Sequence, residues 1–290
     1  MFLISKGVKN VILRPARVRN REKMQKENRV SLRLENQVAL VELNRPEKHN
    51  ALDLEMFHAI VAVQKQLARE KTLRAVVLSG SGVDFCTGLD IKSIMKNRSG
   101  MLRLLWKWLP WQANLAQQVS VGWRRMSLPV FAAIHGRCWG GGLQIALGAD
   151  FRYIEPQASL SIMEGRWGLI PDMGGTLALR ELMPRDHAML LAMSAQEFNG
   201  TRALELGLAT AATEAPVETA TVAARQLAER SPDAVAAVKR LCRKSWKNGS
   251  GRALARETAY QIRILTGKNQ RIAVRRQLGD DIDYKRPSRW

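Results

Sequence analysis

Apolar and polar positions alternate from about residue 30 onward in a pattern that predicts strands and helices in turn. The stretch VSLRLENQVALVELN predicts two short strands joined by a Glu-Asn-Gln turn. The next segment, LEMFHAIVAVQKQLAREK, places Met56, Ile60, Val63 and Leu67 on one helical face, and Asp53 stands where it can cap that helix. RAVVLSGSG is continuously apolar and ends in glycines, which is typical of a buried parallel strand.

The same alternation of strand and helix continues to about residue 200. VFAAIHG predicts a strand, GLQIALGAD a helix, and FRYIEPQASLSI further strands, whereas the chain after Gly174 is nearly all helical in pattern. This order predicts βαβ units on a helix-covered sheet, and hence an α/β fold. We divide the chain into a basic N-terminal extension (1–28), expected to be poorly ordered, an α/β core (29–200) and a helical C-terminal region (201–290).

Charge is the most unusual global property, with 46 Lys and Arg against 26 Asp and Glu and a net charge of +20. Such a field attracts anionic partners, including phosphates, nucleic acid and lipid surfaces. The three cysteines are scattered, which favours a reducing, cytoplasmic location over a disulfide framework, and the four histidines lack metal-binding spacing. No apolar run reaches the roughly 18 residues of a transmembrane helix, so we expect no membrane span and no metal.

Three consecutive glycines, at 140–142, separate a predicted strand from a predicted helix. The first amides of such a helix lack intrahelical acceptors and lie at its positive end, so the turn can accept an anion, although a plain loop also explains it. Upstream, Gly88 forms a predicted tight turn after another strand. The amides of Leu89 and Gly141 would then meet at neighbouring strand ends and form an oxyanion hole.

Four motifs in order carry a family resemblance: NRPEKHNAL (44–52), FCTGLDIK (85–92), HGRCWGGGLQIALGADFR (135–152) and EGRWGLIPDMGGT (164–176). Together they resemble the crotonase, or enoyl-CoA hydratase/isomerase, superfamily over roughly residues 30–285. The resemblance implies a spiral of ββα units with a helical C-terminal region, assembled as a homo-trimer or hexamer. It also implies a coenzyme A thioester as substrate, no separate cofactor, and an oxyanion hole formed by Leu89 and Gly141.

The acid and base positions implied by the resemblance differ from those of the hydratases. Hydratases of the family carry two glutamates, and this chain has Gln144 at the first position and Glu164 at the second. An amide exchanges no proton near neutral pH, so we expect Gln144 to position substrate. Asp172 stands eight residues after Glu164, as in the dienoyl-CoA isomerases, and we expect both to be catalytic. The match to those isomerases is partial, because they carry an acidic residue where this chain has Gln144. A helix N-cap is an equally good interpretation of Asp172.

Other positions carry less information. Arg45, Lys48, Asp90 and Lys92 match places where family members contact coenzyme A, although ordinary surface charges explain the lysines and arginine as well. Trp106, Trp108 and Trp111 fall in the variable acyl-pocket segment. They indicate either a long or bulky acyl group or packing at a subunit interface.

The expected function is double-bond isomerisation of an unsaturated dienoyl-CoA through an enolate held in the oxyanion hole. Hydration of enoyl-CoA in fatty-acid β-oxidation is the alternative, and thioester hydrolysis and decarboxylation also occur in the superfamily. Two alternatives belong to other classes: RNA binding, suggested by the charge but without an RRM, KH or zinc-knuckle motif, and a catalytically silent acyl-CoA-binding scaffold, suggested by Gln144.

Overall fold

The computed structural model describes residues 29–95, 98–246, 248–288 and 290, so the predicted disorder of 1–28 lies outside the described residues. The predicted hairpin is confirmed as β1 (Val30–Glu35) and β2 (Val38–Leu43), which pair in antiparallel fashion. Asn36 and Gln37 between them both have positive φ, 45° and 67°. Two such residues in succession form the tight hairpin turn whose twist matches that of the strands.

A six-stranded sheet forms the centre of the fold. It adds β3 (Ala75–Gly80), β4 (Val130–Ile134), β6 (Phe151–Ile154) and β9 (Ala211–Ala212) in parallel to β2, in the order β1-β2-β3-β4-β6-β9. β3 and β4 are buried along their whole length, as their continuous apolar sequence predicts. The chain beyond residue 200 therefore supplies an edge strand as well as helices.

A second, smaller sheet comprises β5 (Arg137–Trp139), β7 (Ser159–Ser161) and β8 (Phe198–Asn199). The chain passes from the first sheet to the second through His135 and Gly136. Gly136 has φ +55°, and a Cβ there would lie 2.0 Å from the carbonyl oxygen of Val83. Only glycine fits this crossing, which places β5 and the glycine turn after it beside the end of β3.

Helices follow the strands in the order that the sequence pattern predicts. Asp53 caps the first helix, as predicted, because its Oδ1 accepts from the Met56 amide at 2.8 Å. Two 3₁₀ turns, Pro46–Lys48 and Met163–Trp167, interrupt the loops. The helices are α1 (Leu54–Arg69), α2 (Ile91–Met95), α3 (Arg98–Leu105), α4 (Leu115–Arg125), α5 (Gly141–Ala146), α6 (Gly175–Leu182), α7 (Arg185–Ser194), α8 (Gly200–Glu205), α9 (Pro216–Ala228), α10 (Pro232–Ser245), α11 (Ser250–Leu265) and α12 (Lys268–Gln277).

The large sheet is buried on both faces. One face joins the main core with α1, α4 and α5, through residues such as Val41, Leu78 and Ile134. The other face presents Val77 and Phe131 to α9, among others, in a second, smaller core. Because successive side chains of a strand point to opposite faces, the apolar runs of β3 and β4 supply both cores at once.

Three further findings bear on function. No helix in the described ranges is both long and apolar enough to cross a bilayer. Among the described residues, no group of three or more His, Cys, Asp and Glu side chains is placed to hold a metal ion. Cys86, Cys138 and Cys242 are free thiols, the first two buried and the third exposed.

Candidate active site

A cavity of about 650 Å³ opens where β3, β5 and β7 end. Four of the sequence-predicted site residues line it: Leu89, Gly141, Glu164 and Asp172. Much of the remaining wall is apolar, with Phe57, Leu104, Met163 and Met173 among the lining residues. A cavity of this size, mostly apolar with a few converging polar groups, is typical of a small-molecule site.

The two predicted oxyanion-hole turns touch each other. Gly88 has φ +87°, and a Cβ there would lie 2.9 Å from the Trp139 carbonyl oxygen and 3.4 Å from the Gly141 nitrogen. Leu52 bonds to the chain on both sides of Leu89: its amide donates to the Gly88 carbonyl at 2.8 Å, and its carbonyl accepts from the Asp90 amide at 3.0 Å. The Leu89 amide therefore points away from Leu52.

Both of these amides are free to donate. Gly141 is the first residue of α5, so its amide has no acceptor one turn earlier. Within the described chain, neither this amide nor that of Leu89 donates to a protein acceptor. Two adjacent free donors at the positive end of a helix, on the wall of a cavity, are suited to hold a carbonyl oxygen that gains negative charge.

Each of the three glycines has its own steric reason. Gly140 has φ +48° and ψ −118°, a conformation that side chains rarely adopt. A Cβ on Gly142 would lie 2.3 Å from the Cys86 carbonyl oxygen, and one on Gly141 would lie 2.8 Å from the Met173 sulfur and 3.0 Å from the Leu52 Cδ1. At Gly141 the close atoms belong to the ends of flexible side chains, so packing restricts this position less than it restricts Gly142, and the approach of the substrate remains the reason that the sequence analysis gave.

Glu164 is buried at the start of the second 3₁₀ turn, and its two carboxyl oxygens have different surroundings. Its Oε1 accepts from the Gln144 Nε2 at 2.6 Å, whereas its Oε2 is buried with no hydrogen-bond partner among the described residues. Burial raises the pKa of Glu164, the Gln144 hydrogen bond opposes this, and the charge of Asp172 raises it further. A carboxylate in this state is prepared to take up a proton.

Gln144 is held so that only one orientation of its amide fits. Its Oε1 accepts from the backbone amides of Met173 at 2.9 Å and Gly175 at 3.1 Å. The nitrogen must therefore face Glu164. Gln144 is buried behind Glu164 and is not among the residues that line the cavity, so it is placed to act on substrate through Glu164.

Asp172 lies on the more exposed side of the cavity. The surrounding wall still removes enough water to raise the pKa of its carboxyl. The N-cap of α6 is Gly174, with φ +91° and no side-chain cap bond. The alternative interpretation of Asp172 as a helix cap is therefore wrong, because the cap lies two residues further along.

Two predicted coenzyme A contacts are paired with each other. Arg45 is buried, and its NH1 donates to the Asp90 Oδ2 at 2.8 Å and to the Ala51 carbonyl at 3.0 Å. Burial opposes ionisation of Asp90, but the bonds from Arg45 and Ser93 outweigh it and lower its pKa. Neither side chain lines the cavity. The pair joins the turn at 46–48 to the loop before α2, and contact of Arg45 and Asp90 with coenzyme A stays a prediction.

The other two predicted coenzyme A contacts, Lys48 and Lys92, are exposed. Each is next in sequence to a residue of the cavity wall: Lys48 precedes His49, and Lys92 follows Ile91. Exposed ammonium groups beside a cavity mouth are free to meet phosphate. Contact of these two lysines with coenzyme A stays a prediction.

Sequence analysis missed a charged cluster at the cavity wall. Asp84 accepts from the Arg137 Nε at 2.9 Å and NH2 at 2.7 Å, and the His49 Nδ1 lies 2.8 Å from the same carboxylate. Burial opposes ionisation of Asp84, but these bonds prevail and lower its pKa. His49 and Arg137 line the cavity. They are 88 residues apart, and only the β4-to-β5 crossing brings them together.

The tryptophans of the segment after α3 do not line the cavity. Trp106, Trp108 and Trp111 are all exposed, and the acyl-facing side chains of this region are Leu104 and Leu105. Of the two interpretations of these tryptophans, the cavity lining therefore does not support a place in the acyl pocket, and the leucines of α3 provide that part of the wall.

Proteins of known activity are similar to this chain in sequence over much of its length. The chain is 32% identical over 171 residues to the peroxisomal Δ(3,5)-Δ(2,4)-dienoyl-CoA isomerase of Arabidopsis thaliana, a match that covers 57% of this chain and 62% of that protein. It is 30% identical over 213 residues to the (E)-benzylidenesuccinyl-CoA hydratase of Thauera aromatica, covering 72% of this chain and 80% of the relative. The match thus spans less than two thirds of the length of the isomerase.

Solved structures show the same architecture. The enoyl-CoA hydratase of Polaromonas sp. JS666 superimposes with a TM-score of 0.76 at 26% identity, covering 88% of this chain and 99% of that one. That of Thermoplasma volcanium GSS1 gives 0.76 at 25% identity, covering 87% and 98%. The family model for enoyl-CoA hydratase/isomerase matches residues 33–272. The chain therefore belongs to the enoyl-CoA hydratase/isomerase family of the crotonase superfamily.

Proposed function

We propose that this protein isomerises a double bond in an unsaturated acyl-CoA, with a 3,5-dienoyl-CoA as the substrate class. The observation that carries the proposal is the pair of carboxyls on the cavity wall, Glu164 and Asp172, both with raised pKa. Gln144 supplies no third carboxyl, because it is an amide whose nitrogen donates to Glu164. Similarity to a dienoyl-CoA isomerase supports the same assignment.

The reaction requires one proton to leave and one to enter, at different carbons. The carboxylate of Glu164 removes a proton from C2, next to the thioester, and the C2 electrons form the enolate. The amides of Leu89 and Gly141 hold the enolate oxygen. Asp172, whose raised pKa favours its protonated form, then gives a proton to C6, and the double bonds move to the 2 and 4 positions.

We assign the C2 proton to Glu164 because of its place beside the glycine turn. A Cβ on Gly140 would lie 3.5 Å from the Glu164 Oε1, so the carboxyl and the free Gly141 amide are close neighbours. The base thus lies next to the thioester carbonyl when that carbonyl occupies the proposed oxyanion hole. Asp172 lies on the exposed side of the cavity, and we therefore assign to it the protonation of the distal carbon, C6.

The test is to incubate the protein with a 3,5-dienoyl-CoA and to follow the conjugated 2,4-dienoyl product by absorbance and mass. We expect product of unchanged mass, and a loss of about 10²-fold or more in kcat for Glu164→Gln and for Asp172→Asn. Glu197→Gln is a matched control, since Glu197 is a half-exposed carboxyl whose neighbour Arg166 lines the same cavity. If Asp172→Asn keeps full activity, the two-carboxyl mechanism is wrong.

Hydration of a 2-enoyl-CoA is the second candidate. Similarity to the Thauera aromatica hydratase, over a larger share of the chain, favours it. Hydration needs a bound water that loses a proton while C2 gains one. The Gln144 oxygen already accepts two backbone amides, so in this reaction Asp172 would have to orient the water. Water addition to a 2-enoyl-CoA at an enzymatic rate would establish this candidate.

The proposed assembly is a homo-trimer or hexamer, as in the family. Exposed apolar side chains on the C-terminal helices are in accord with it, including Ile262 and Leu265 of α11 and Val274 of α12. The molar mass in solution, from light scattering, tests the assembly independently of the reaction.

A further inference from the structure

An apolar and basic projection stands beside the mouth of the cavity. It consists of the carboxyl end of α3 and the loop after it, residues 102–111, with the sequence LRLLWKWLPW. Trp108 and Trp111 are 82% and 76% exposed, and Leu102 is 72% exposed. Trp106 packs edge-to-face on Trp108, with ring centroids 5.1 Å apart, so the side chains support one another while facing solvent. We call this segment the tryptophan projection.

The charged side chains within the tryptophan projection itself are all basic. Arg103 is exposed and Lys107 partly exposed within it. The sequence contains no Asp or Glu from residue 91 to residue 149, although the chain as a whole has 26. The segment is therefore basic with no internal acid to neutralise it, in a molecule of net charge +20.

The far side of the cavity mouth continues the apolar surface. Trp167 and Leu169 line the cavity and are 61% and 57% exposed. Leu105, which belongs to the tryptophan projection, also lines the cavity and is 52% exposed. Residues that both line a cavity and face solvent form its rim. Leu105, Trp167 and Leu169 make up its apolar part, here called the apolar rim, and exposed Arg166 and Asp172 belong to the same rim.

We propose that the tryptophan projection and the apolar rim dock the protein on the surface of an anionic lipid bilayer, with the cavity mouth facing the lipid. Tryptophan and leucine bury in the headgroup region, and lysine and arginine meet lipid phosphates. Lysine is depleted from the cores of protein interfaces, so the mixture of tryptophan with basic residues fits a bilayer better than a second copy of this chain. The proposal does not depend on which reaction the site catalyses.

Co-sedimentation with vesicles tests the proposal without substrate. One set of vesicles is phosphatidylcholine alone, and the other contains phosphatidylglycerol as well. We expect binding to the mixed vesicles that weakens as salt is added, because screening reduces the attraction between Lys or Arg and phosphate. Absence of binding to the mixed vesicles at low salt would overturn the proposal.

Variants separate the projection from the general positive charge. Trp108→Ala/Trp111→Ala should lower partitioning onto mixed vesicles by about tenfold or more, and Arg103→Gln/Lys107→Gln should lower it while weakening its salt dependence. The matched control is Trp246→Ala, which removes a 67% exposed tryptophan that follows Arg243 and Lys244 on the far helix α10. Equal losses in the control would overturn the proposal.

A subunit contact at the same place is the competing outcome. Trp108→Ala/Trp111→Ala should leave the molar mass in solution unchanged if these side chains face lipid. A fall in molar mass, measured by light scattering at the same protein concentration, would assign the tryptophan projection to an interface between copies and overturn the proposal.

Discussion

At the scale of single residues, the two carboxyl oxygens of Glu164 have different surroundings, and the proposed reaction depends on this difference. One is fixed by the Gln144 amide at 2.6 Å, and the other is buried without a partner. Fixing one oxygen sets the plane of the carboxyl, so the free oxygen keeps a constant direction. A base held in this way loses little entropy when the substrate arrives, which is how positioning residues contribute to rate.

The raised pKa of Glu164 predicts a pH dependence of activity. A base must be ionised, so kcat/KM should fall as pH decreases through the pKa of Glu164. Because burial raises that pKa, the midpoint should lie above the value of about 4.3 of an ordinary glutamate. A pH–rate profile measured on folded protein checks this, and a midpoint at or below the ordinary value would contradict it.

The same shift predicts a stability effect of opposite sense. An acid whose pKa is raised on folding destabilises the folded state once it is ionised, and the penalty is absent at pH values below its unfolded pKa. Glu164→Gln should therefore raise the melting temperature at neutral pH, and the gain should shrink as pH falls toward 4. Thermal melts across pH measure it, with Glu205→Gln on the exposed face of α8 as control.

Gln144→Glu tests the role assigned to the amide. The new carboxyl would keep the two backbone donors and lie about 2.6 Å from the Glu164 oxygen, where two negative charges cannot coexist. The pair should retain a proton, so the low-pH limb of activity should move to higher pH, with a rise in water addition relative to isomerisation. An unchanged profile would show that Gln144 does not act through Glu164.

At the scale of elements, the strand-to-helix turn at 139–142 forms one wall of the site. Its three glycines, Gly140 to Gly142, differ in how strictly each position requires glycine. Gly142→Ala would press a Cβ against the Cys86 carbonyl at 2.3 Å, and backbone cannot move aside easily. We expect a loss of about 1–3 kcal/mol in the free energy of unfolding. Gly251→Ala, in open space on α11, should be neutral or stabilising by about 0.5–1 kcal/mol. Denaturant melts distinguish them.

The Arg45–Asp90 pair predicts a change in stability, and no change in coenzyme A binding. Asp90→Asn leaves the buried guanidinium without its main partner, so the free energy of unfolding should fall by about 3 kcal/mol. Because the pKa of Asp90 is lowered in the fold, this contribution exists above its unfolded pKa and disappears as pH falls through the folded value.

The control for this pair is Glu205→Gln, which breaks the exposed Arg202–Glu205 pair and should change stability by less than about 1 kcal/mol. The KM for acyl-CoA should stay unchanged in Asp90→Asn as well. A raised KM with full stability would support the assignment of Asp90 to coenzyme A binding.

Elements were predictable from sequence where the signal is local. The Asn36–Gln37 turn, the Asp53 cap and the buried runs of β3 and β4 each depend on a few adjacent residues. Contacts between residues far apart in sequence could not be predicted in this way, because no pattern of adjacent residues indicates them. Arg45 meets Asp90 across 45 residues, and Gln144 meets Glu164 across 20. The convergence of the Gly88 and Gly141 turns was predicted from their places at the ends of neighbouring strands, and the family resemblance implied the same arrangement.

At the scale of the whole molecule, a net charge of +20 should speed the arrival of a polyanionic substrate. We expect kcat/KM for an acyl-CoA to fall as ionic strength rises, while kcat stays constant, because screening acts on the encounter. The matching N-acetylcysteamine thioester lacks the phosphates and should show no such dependence. Equal salt effects on both substrates would contradict steering by charge.

Family membership, cavity and carboxyl pair together make isomerisation the central claim, and a competition experiment tests it most directly. Equal concentrations of a 3,5-dienoyl-CoA and a 2-enoyl-CoA are given to the protein in one vessel, and the products are resolved by mass. The ratio of initial rates is the ratio of kcat/KM values, so it compares the two transition states in one enzyme. We predict that the 2,4-dienoyl product, with no change in mass, forms faster. Preferential formation of a product heavier by one water would contradict the claim and make the protein a hydratase.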